Sequence, residues 1–522
     1  MKRLFALLIL LVSFLFVQGK VYNMQSLGAD VTGKKPCTDL INNTIKQAAK
    51  EGGGVIYFPA GQYLTAAIHM KSNITIEIES GAVLRFSTNF EDYLPFVRMR
   101  WEGVFMNSLS PLFYAVNAEN IAIKGRGGVI DGQGGHAWWA ESRRVIDEIR
   151  ENGKTLSTNK LQQMWLDTNK DIKVSPYYEK TLERKFFRPP FVQFLECKNI
   201  LIEGITIINS PPFWTINPEG CDDLVIHGVT INNPSGNPKG HNTDGINPSS
   251  CRNVRISDCF ISVGDDCITI KSGRDEDGRN YGRPCENLVI TNCIMLAGHG
   301  GVVIGSEMSG SVKKVAISNC VFNGTDAGIR LKASRGGRGG IVEEIRVDNI
   351  IMNDIQRDAF IFDLFYDKGG TETEPVSERT PIFRNIHISN VTGGSNIKKI
   401  GYITGIEEMP VDEISFSNIN MSAIEGFTAK TASNIRFHNV DFSSEKGSPF
   451  TFKNGENIVL DNVRSKSPLP GQPVVELENV ENVLINNCFQ ITNADIFYTV
   501  KSSNVIWGNN FMQNVKTVKV DK

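Results

Sequence analysis

Three aspartates, a histidine, an arginine and a lysine fall in four short segments whose spacing lets them meet. The segments are Asn242-Thr243-Asp244, Gly264-Asp265-Asp266, Gly298-His299-Gly300 and Arg330-Leu331-Lys332. Their key residues stand 21 to 34 positions apart, about one unit of a coiled repeat chain. Parallel strands stack about 4.8 Å apart, so four successive coils would gather these side chains into a stripe roughly 15 Å tall. Such a stripe holds carboxyls that can exchange protons, a histidine that can tune one of them, and cations that can grip an anion. Singly, each segment reads as an ordinary turn or a solvated strand face. Four in order, one coil apart, read as a site.

The positioning elements are visible as self-similarity. Lys198-Asn199-Ile200-Leu201-Ile202, Arg252-Asn253-Val254-Arg255-Ile256, Glu286-Asn287-Leu288-Val289-Ile290 and Arg384-Asn385-Ile386-His387-Ile388 are variants of one phrase. It runs from Glu119-Asn120-Ile121 to Glu481-Asn482-Val483. Each unit is a short alternating apolar strand, often followed by Asn, Asp or Gly and a second strand, so one face points inward. No regular helices separate the units, the leucine-rich rhythm is missing, and the period is too uneven for propeller blades. An all-β right-handed parallel β-helix follows, with an N-terminal cap containing a short helix. That helix is read over residues 38–50, where Leu40, Ile41, Ile45, Ala48 and Ala49 form an apolar stripe behind a Thr/Asp cap.

Residues 1–19 read as an export leader: Lys2-Arg3, an apolar run from Leu4 to Val17, then Gln18-Gly19. Residues 20–115 are assigned to the cap and first coils and 116–522 to the catalytic β-helix. Within it, residues 136–190 break the strand rhythm with high charge and Trp138, Trp139 and Trp165, either a surface excursion or a wall beside a groove. The expected protein is exported, monomeric and without a membrane span. A net charge of -2 excludes broad attraction to nucleic acid. The 10 cysteines include no CxxC pair, which argues against zinc and for thiols stacked in the core rather than a disulfide framework. No metal or cofactor is expected.

Side-chain parity refines the site. Arg330 and Lys332 share a face with Leu331 turned inward, Asn242 and Asp244 share a face, and Lys271 lies opposite the inward Ile268 and Ile270. Asp265 and Asp266 are adjacent, so a regular strand would bury one; Gly264 is expected to supply a bend. The chemistry that uses paired acids is hydrolysis of a glycosidic bond, with one carboxylic acid protonating the leaving oxygen and others activating water. Crowded negative neighbours would raise the pKa of the acid. Arg330 and Lys332 have no part in cleaving a neutral sugar and suit a substrate carrying carboxylates.

These four segments resemble the signature of the polygalacturonases, glycoside hydrolase family 28, most strongly from about residue 199 to 348. The resemblance implies inverting hydrolysis of α-1,4 bonds in pectic polysaccharide or oligogalacturonides. It implies Asp265 as general acid, Asp244 and Asp266 as the pair activating water, and His299 supporting the acid. It also implies Arg330 and Lys332 as ligands of a galacturonate carboxylate. Asn242 and Lys271 are added as substrate-binding residues, and Arg274, Arg279, Arg283, Arg335 and Arg338 could extend the cationic surface. A wall from residues 136–190, 274–284 or 365–379 would close one end of the groove and favour exo action. Alternatives are rhamnogalacturonan or xylogalacturonan hydrolysis, calcium-dependent pectate elimination, and a non-catalytic glycan-binding β-helix.

Overall fold

The computed structural model describes residues 19–135, 137–153, 160–172, 188–234, 240–366 and 372–522; the leader read at residues 1–19 lies almost wholly outside them. The chain winds as a right-handed parallel β-helix with three strand faces per coil. On the second face the repeated phrase stacks in register: Ile76, Ile123, Ile202, Ile226, Ile256, Ile290 and Ile317 pair one to the next. Val347, Ile388, Phe416 and Phe437 continue the column, and all are buried. Period-two alternation turns every second residue into this column, which makes a continuous core.

The asparagine of the phrase has its own reason. Asn199, Asn253, Asn287 and Asn385 sit at φ 54, 57, 61 and 52°, the left-handed region that asparagine tolerates best after glycine. Their amides ladder from coil to coil, Asn253 Nδ2 donating to Asp223 at 2.9 Å and Asn287 Nδ2 to Asn253 at 3.2 Å. The position after the strand is built the same way: Asp258 and Asn292, which follow Arg252–Ser257 and Cys285–Thr291, both sit at φ 57°, and Asn292 Nδ2 donates to Asp258 at 3.3 Å.

The N-terminal helix α1 spans Thr38–Lys50 and buries Ile41, Thr44, Ile45 and Ala48. Its cap position is Cys37 rather than a Thr/Asp pair, and it makes no side-chain capping bond. Thr38 Oγ1 instead accepts the Ala66 N–H at 2.7 Å. All ten cysteines are buried and free. Cys197, Cys221, Cys251 and Cys285 follow one another through the register of the second face, and the Cys197 N–H approaches Cys221 Sγ at 3.4 Å. Among the described residues no helix is long and apolar enough to cross a membrane.

The described parts of residues 136–190 include two helices, α2 (Trp138–Asn152) and α3 (Lys160–Asn169). Trp138, Trp139 and Trp165 are buried. Trp139 Nε1 donates to Ser210 O at 2.9 Å, and Ser142 Oγ lies 3.1 Å from His241 Nε2. The segment is thus packed onto the coil that leads into Asn242.

Candidate active site

The first face carries the site. Its register runs Ile216, Ile246, Ile268, Val302, Ile329, Phe360. Asp244 and Asp266 each stand two residues before their rung, so they fall in one column. Asp265 and Asp266 occupy a bend between Phe260–Ser262 and Ile268–Ile270, where strand alternation does not apply and both can face the cleft. Gly264 is needed there for close approach rather than for a left-handed backbone: a Cβ would stand 2.0 Å from Gly240 O. Arg330 and Lys332 face outward and Leu331 inward, as strand parity requires. Lys332 pairs with Gly305, the rung neighbour of Lys271's position.

Carboxylate oxygens of Asp244, Asp265 and Asp266 all lie within 4.8 Å of one another. Asp265 Oδ1 is 2.9 Å from His299 Nδ1, and its Oδ2 accepts from Asn242 Nδ2 at 3.1 Å. Lys332 Nζ donates to Asp266 Oδ2 at 2.7 Å, and Arg330 Nη1 is 3.7 Å from Asp266 Oδ1. Among the described residues, Asp244 Oδ2 accepts from neutral donors, Asn247 Nδ2 at 2.9 Å and Thr269 Oγ1 at 3.4 Å. Lys271 Nζ donates to Glu307 Oε2 at 2.8 Å and lies 4.3 Å from the centre of the Trp214 ring. The residues of the four segments and Lys271 are therefore brought to one place.

Asp244 and Asp265 are shifted differently from what crowding alone suggested. Burial pushes Asp265 up, but the His299 hydrogen bond and charge, with Lys332 and Lys271, outweigh it and hold Asp265 below the usual carboxylate range. Asp244 is the raised group, first by burial and then by the negative charge of Asp265, with Lys271 opposing. Such a three-carboxylate cluster also meets the spacing of a metal site. Lys332 and Arg330 already supply positive charge against it, so the donor set suits proton transfer better than a hard cation.

The site opens into a cavity of about 210 Å³ lined by the three aspartates, Asn242, Lys271 and Lys332. Residues missed in the sequence complete it: Glu102, Trp214, Ser306 and Glu307, together with Tyr366 from the 365–379 loop. The Tyr366 ring lies 5.1 Å from Arg330 Cζ and 4.9 Å from Lys332 Nζ. Of the arginines expected to extend the cationic surface, Arg274 and Arg338 line the cavity. Arg283 pairs with Asp222, Arg335 with Glu408, and Arg279 donates to Gly337 O, so those three brace loops instead. A wider depression of about 970 Å³ opens on the second face around His387, Arg436 and His438. Its histidines are engaged by Ser415 and Asp461, and none of the four segments reaches it.

Residues 177–443 match the profile described as glycosyl hydrolases family 28. Residues 21–141 match one described as rhamnogalacturonase A/epimerase, pectate lyase-like. A probable polygalacturonase of Vitis vinifera is 29% identical over 383 residues, covering 72% of this chain and 68% of that protein. An exo-poly-alpha-D-galacturonosidase of Dickeya chrysanthemi is 27% identical over 478 residues, covering 85% of this chain and 74% of its own. Among solved structures, an exopolygalacturonase from Thermotoga maritima superposes with a TM-score of 0.70 at 31% identity, over 82% of this chain and 92% of that one.

Proposed function

The chain belongs to glycosyl hydrolases family 28, and from that premise we propose that it hydrolyses α-1,4-galacturonosidic bonds of polygalacturonate from a chain end, with inversion. The observation that carries this reading is the convergence of Asp244, Asp265 and Asp266 within 4.8 Å under the cations Arg330 and Lys332. A galacturonate carboxylate docks against Arg330 and Lys332, whose guanidinium and ammonium provide charge-assisted donors. The Asp265–His299 pair holds one transferable proton, and Asp265 delivers it to the glycosidic oxygen as the C1–O bond breaks. A water between Asp244 and Asp266 attacks C1; Asp266 takes its proton while Asp244 orients it, and solvent exchange restores the starting state.

The stereochemistry needs an argument. Most inverting pairs stand about 6.5–9.5 Å apart and retaining pairs about 5–5.5 Å, so spacing alone favours retention by a covalent sugar ester. Two features favour inversion. Asp266 is bound by Lys332 at 2.7 Å, which blunts it as a nucleophile, and Asp244 is raised toward its neutral form. Together they can clasp a single water, because two oxygens less than about 5.6 Å apart both reach it at ordinary hydrogen-bond length.

Exo action is supported by loop residues at the cavity wall, Glu102 and Arg274 among them. The hairpin Val97–Trp101 and Val104–Ser108 brings Glu102 to its wall, next to Arg274 of the 274–284 loop. Export through a leader at residues 1–19 belongs to the same proposal and is supported by the sequence alone. The test is a time course on polygalacturonate and short galacturonides with sized products. Monomer or dimer from the first minutes fits the reading, mixed oligomers refute exo action, and a failure to release reducing ends refutes hydrolysis.

A further inference from the structure

The part of the cavity lined by Glu102, Arg274 and Glu307 is chemically unlike the part that carries Arg330 and Lys332. Its cations face acids: Arg274 Nη1 lies 3.4 Å from Glu102 Oε2 and 3.5 Å from Glu307 Oε1. Lys271 lies 2.8 Å from Glu307, and Arg338 lies 2.7 Å from Asp275. This part therefore offers little net positive charge to a second galacturonate carboxylate. It offers instead carboxylate oxygens, which only accept hydrogen bonds, and so suits a hydroxyl.

Glu102 is the residue placed for that task. It sits in the two-residue loop Glu102-Gly103 between paired Trp101 and Val104, with φ 43 and 84°. Loops with two positive φ values favour Asn-Gly or Asp-Gly, so a glutamate at the first position works against local preference. Its carboxylate is nonetheless braced on both sides, by Arg274 and by Arg188 Nη1 at 3.7 Å from Oε1. The tip is docked tightly: a Cβ on Gly103 would stand 2.6 Å from Arg274 N, and Arg100 Nε donates to Gly103 O at 3.2 Å. Local strain kept in place by surrounding structure is a mark of function.

Building on the proposed exo hydrolysis, we infer that Glu102 is the chain-end sensor, accepting a hydrogen bond from a hydroxyl that exists only on the terminal sugar. A chain that continues past this point carries a glycosidic link there, with no proton to give. Two hydroxyls qualify, the C4 hydroxyl of the non-reducing end and the anomeric hydroxyl of the reducing end.

The experiment compares three tetragalacturonides: unmodified, 4,5-unsaturated at the non-reducing end so that the C4 hydroxyl is absent, and borohydride-reduced at the other end. Wild type is expected to lose roughly ten- to hundred-fold in kcat/KM on one of the two modified forms, as for a hydrogen bond to a charged acceptor. Which form suffers identifies the end. Glu102→Asn, which suits the turn better but gives up the charge facing Arg188 and Arg274, is assayed below its own melting temperature and is expected to cleave all three within about two-fold of one another. Equal rates for wild type on all three, retained discrimination in Glu102→Asn, or uniform loss of all cleavage in that variant would overturn the inference. No cleavage of the unmodified tetramer by wild type would instead overturn the hydrolase reading itself.

Discussion

Replacing Lys332 by Met keeps the aliphatic stem and removes the charge that faces Asp266. The Asp266 side chain is 1% exposed and that of Lys332 7%, so the bond of 2.7 Å between them is made out of water. Breaking a buried pair by deleting one partner costs about 3–5 kcal/mol, because the remaining charge is stranded. Arg330 stays 3.7 Å from the other oxygen of Asp266, which places the expected loss near the lower limit, about 3 kcal/mol. Urea unfolding followed by tryptophan fluorescence measures it. The double variant Asp266→Asn with Lys332→Met removes both charges and should recover at least half of that loss. Activity separates from stability in the same pair. Lys332→Met loses the substrate's carboxylate partner and the cation that holds Asp266, and the double variant also loses the base itself, so kcat/KM should fall in both and further in the double variant, by at least about 10³-fold. A Lys332→Met protein within about 0.5 kcal/mol of wild type, or a double variant less stable than the single, would refute the claim that this pair is buried and coupled.

Asp265→Asn keeps the shape and the bond to Asn242 but cannot donate the proton; kcat should fall about 10²–10⁴-fold with KM little changed, measured by reducing-end release, and an active Asn variant would remove Asp265 from the acid role. Glu219, buried beside Arg100 at 3.3 Å, is pushed up from 4.5 to about 7, first by burial with Arg100 opposing. An acid raised in the folded state binds its proton more tightly there than unfolded, so its contribution is greatest at low pH. Stability then falls between about pH 4.5 and 7 by roughly 3 kcal/mol. Glu219→Gln should match wild type near the acid end and exceed it at pH 8, flattening that slope in unfolding experiments; a variant weaker at both ends would contradict this.

The winding and much of the site were legible because both rest on period-two alternation. Arg330, Lys332 and Lys271 could be placed from the inward Leu331, Ile268 and Ile270, and the strand structure obeys the same rule. Glu102 could not be placed that way. It reaches the site from a hairpin whose nearest signature segment lies well over 100 residues on, although Val104 to Ser108 alternates and Glu102-Gly103 is a turn signal. Trp214 left a clearer trace: it stands two residues before Ile216 as Asp244 does before Ile246, so aligning the repeats by rung would have found it. The division of the shifts between Asp244 and Asp265 was legible only in part. Crowding is a property of the three aspartates together, whereas its division depends on the partners of each; His299 beside Asp265 was expected from the family resemblance, but neutral Asn247 beside Asp244 appears only in the folded arrangement. The arginines near 274–338 misled for a similar reason, since three of them are spent on loop contacts.

The central claim is that water, held by Asp244 and Asp266, replaces the leaving sugar from the face opposite Asp265. Proton NMR of trigalacturonide recorded during the first turnovers tests it directly, because the new reducing end is seen before mutarotation. The account predicts β-galacturonate as the first product from the α-linked substrate. An α product would establish a double displacement on one of the aspartates, and an unsaturated, ultraviolet-absorbing product would establish elimination; either contradicts it.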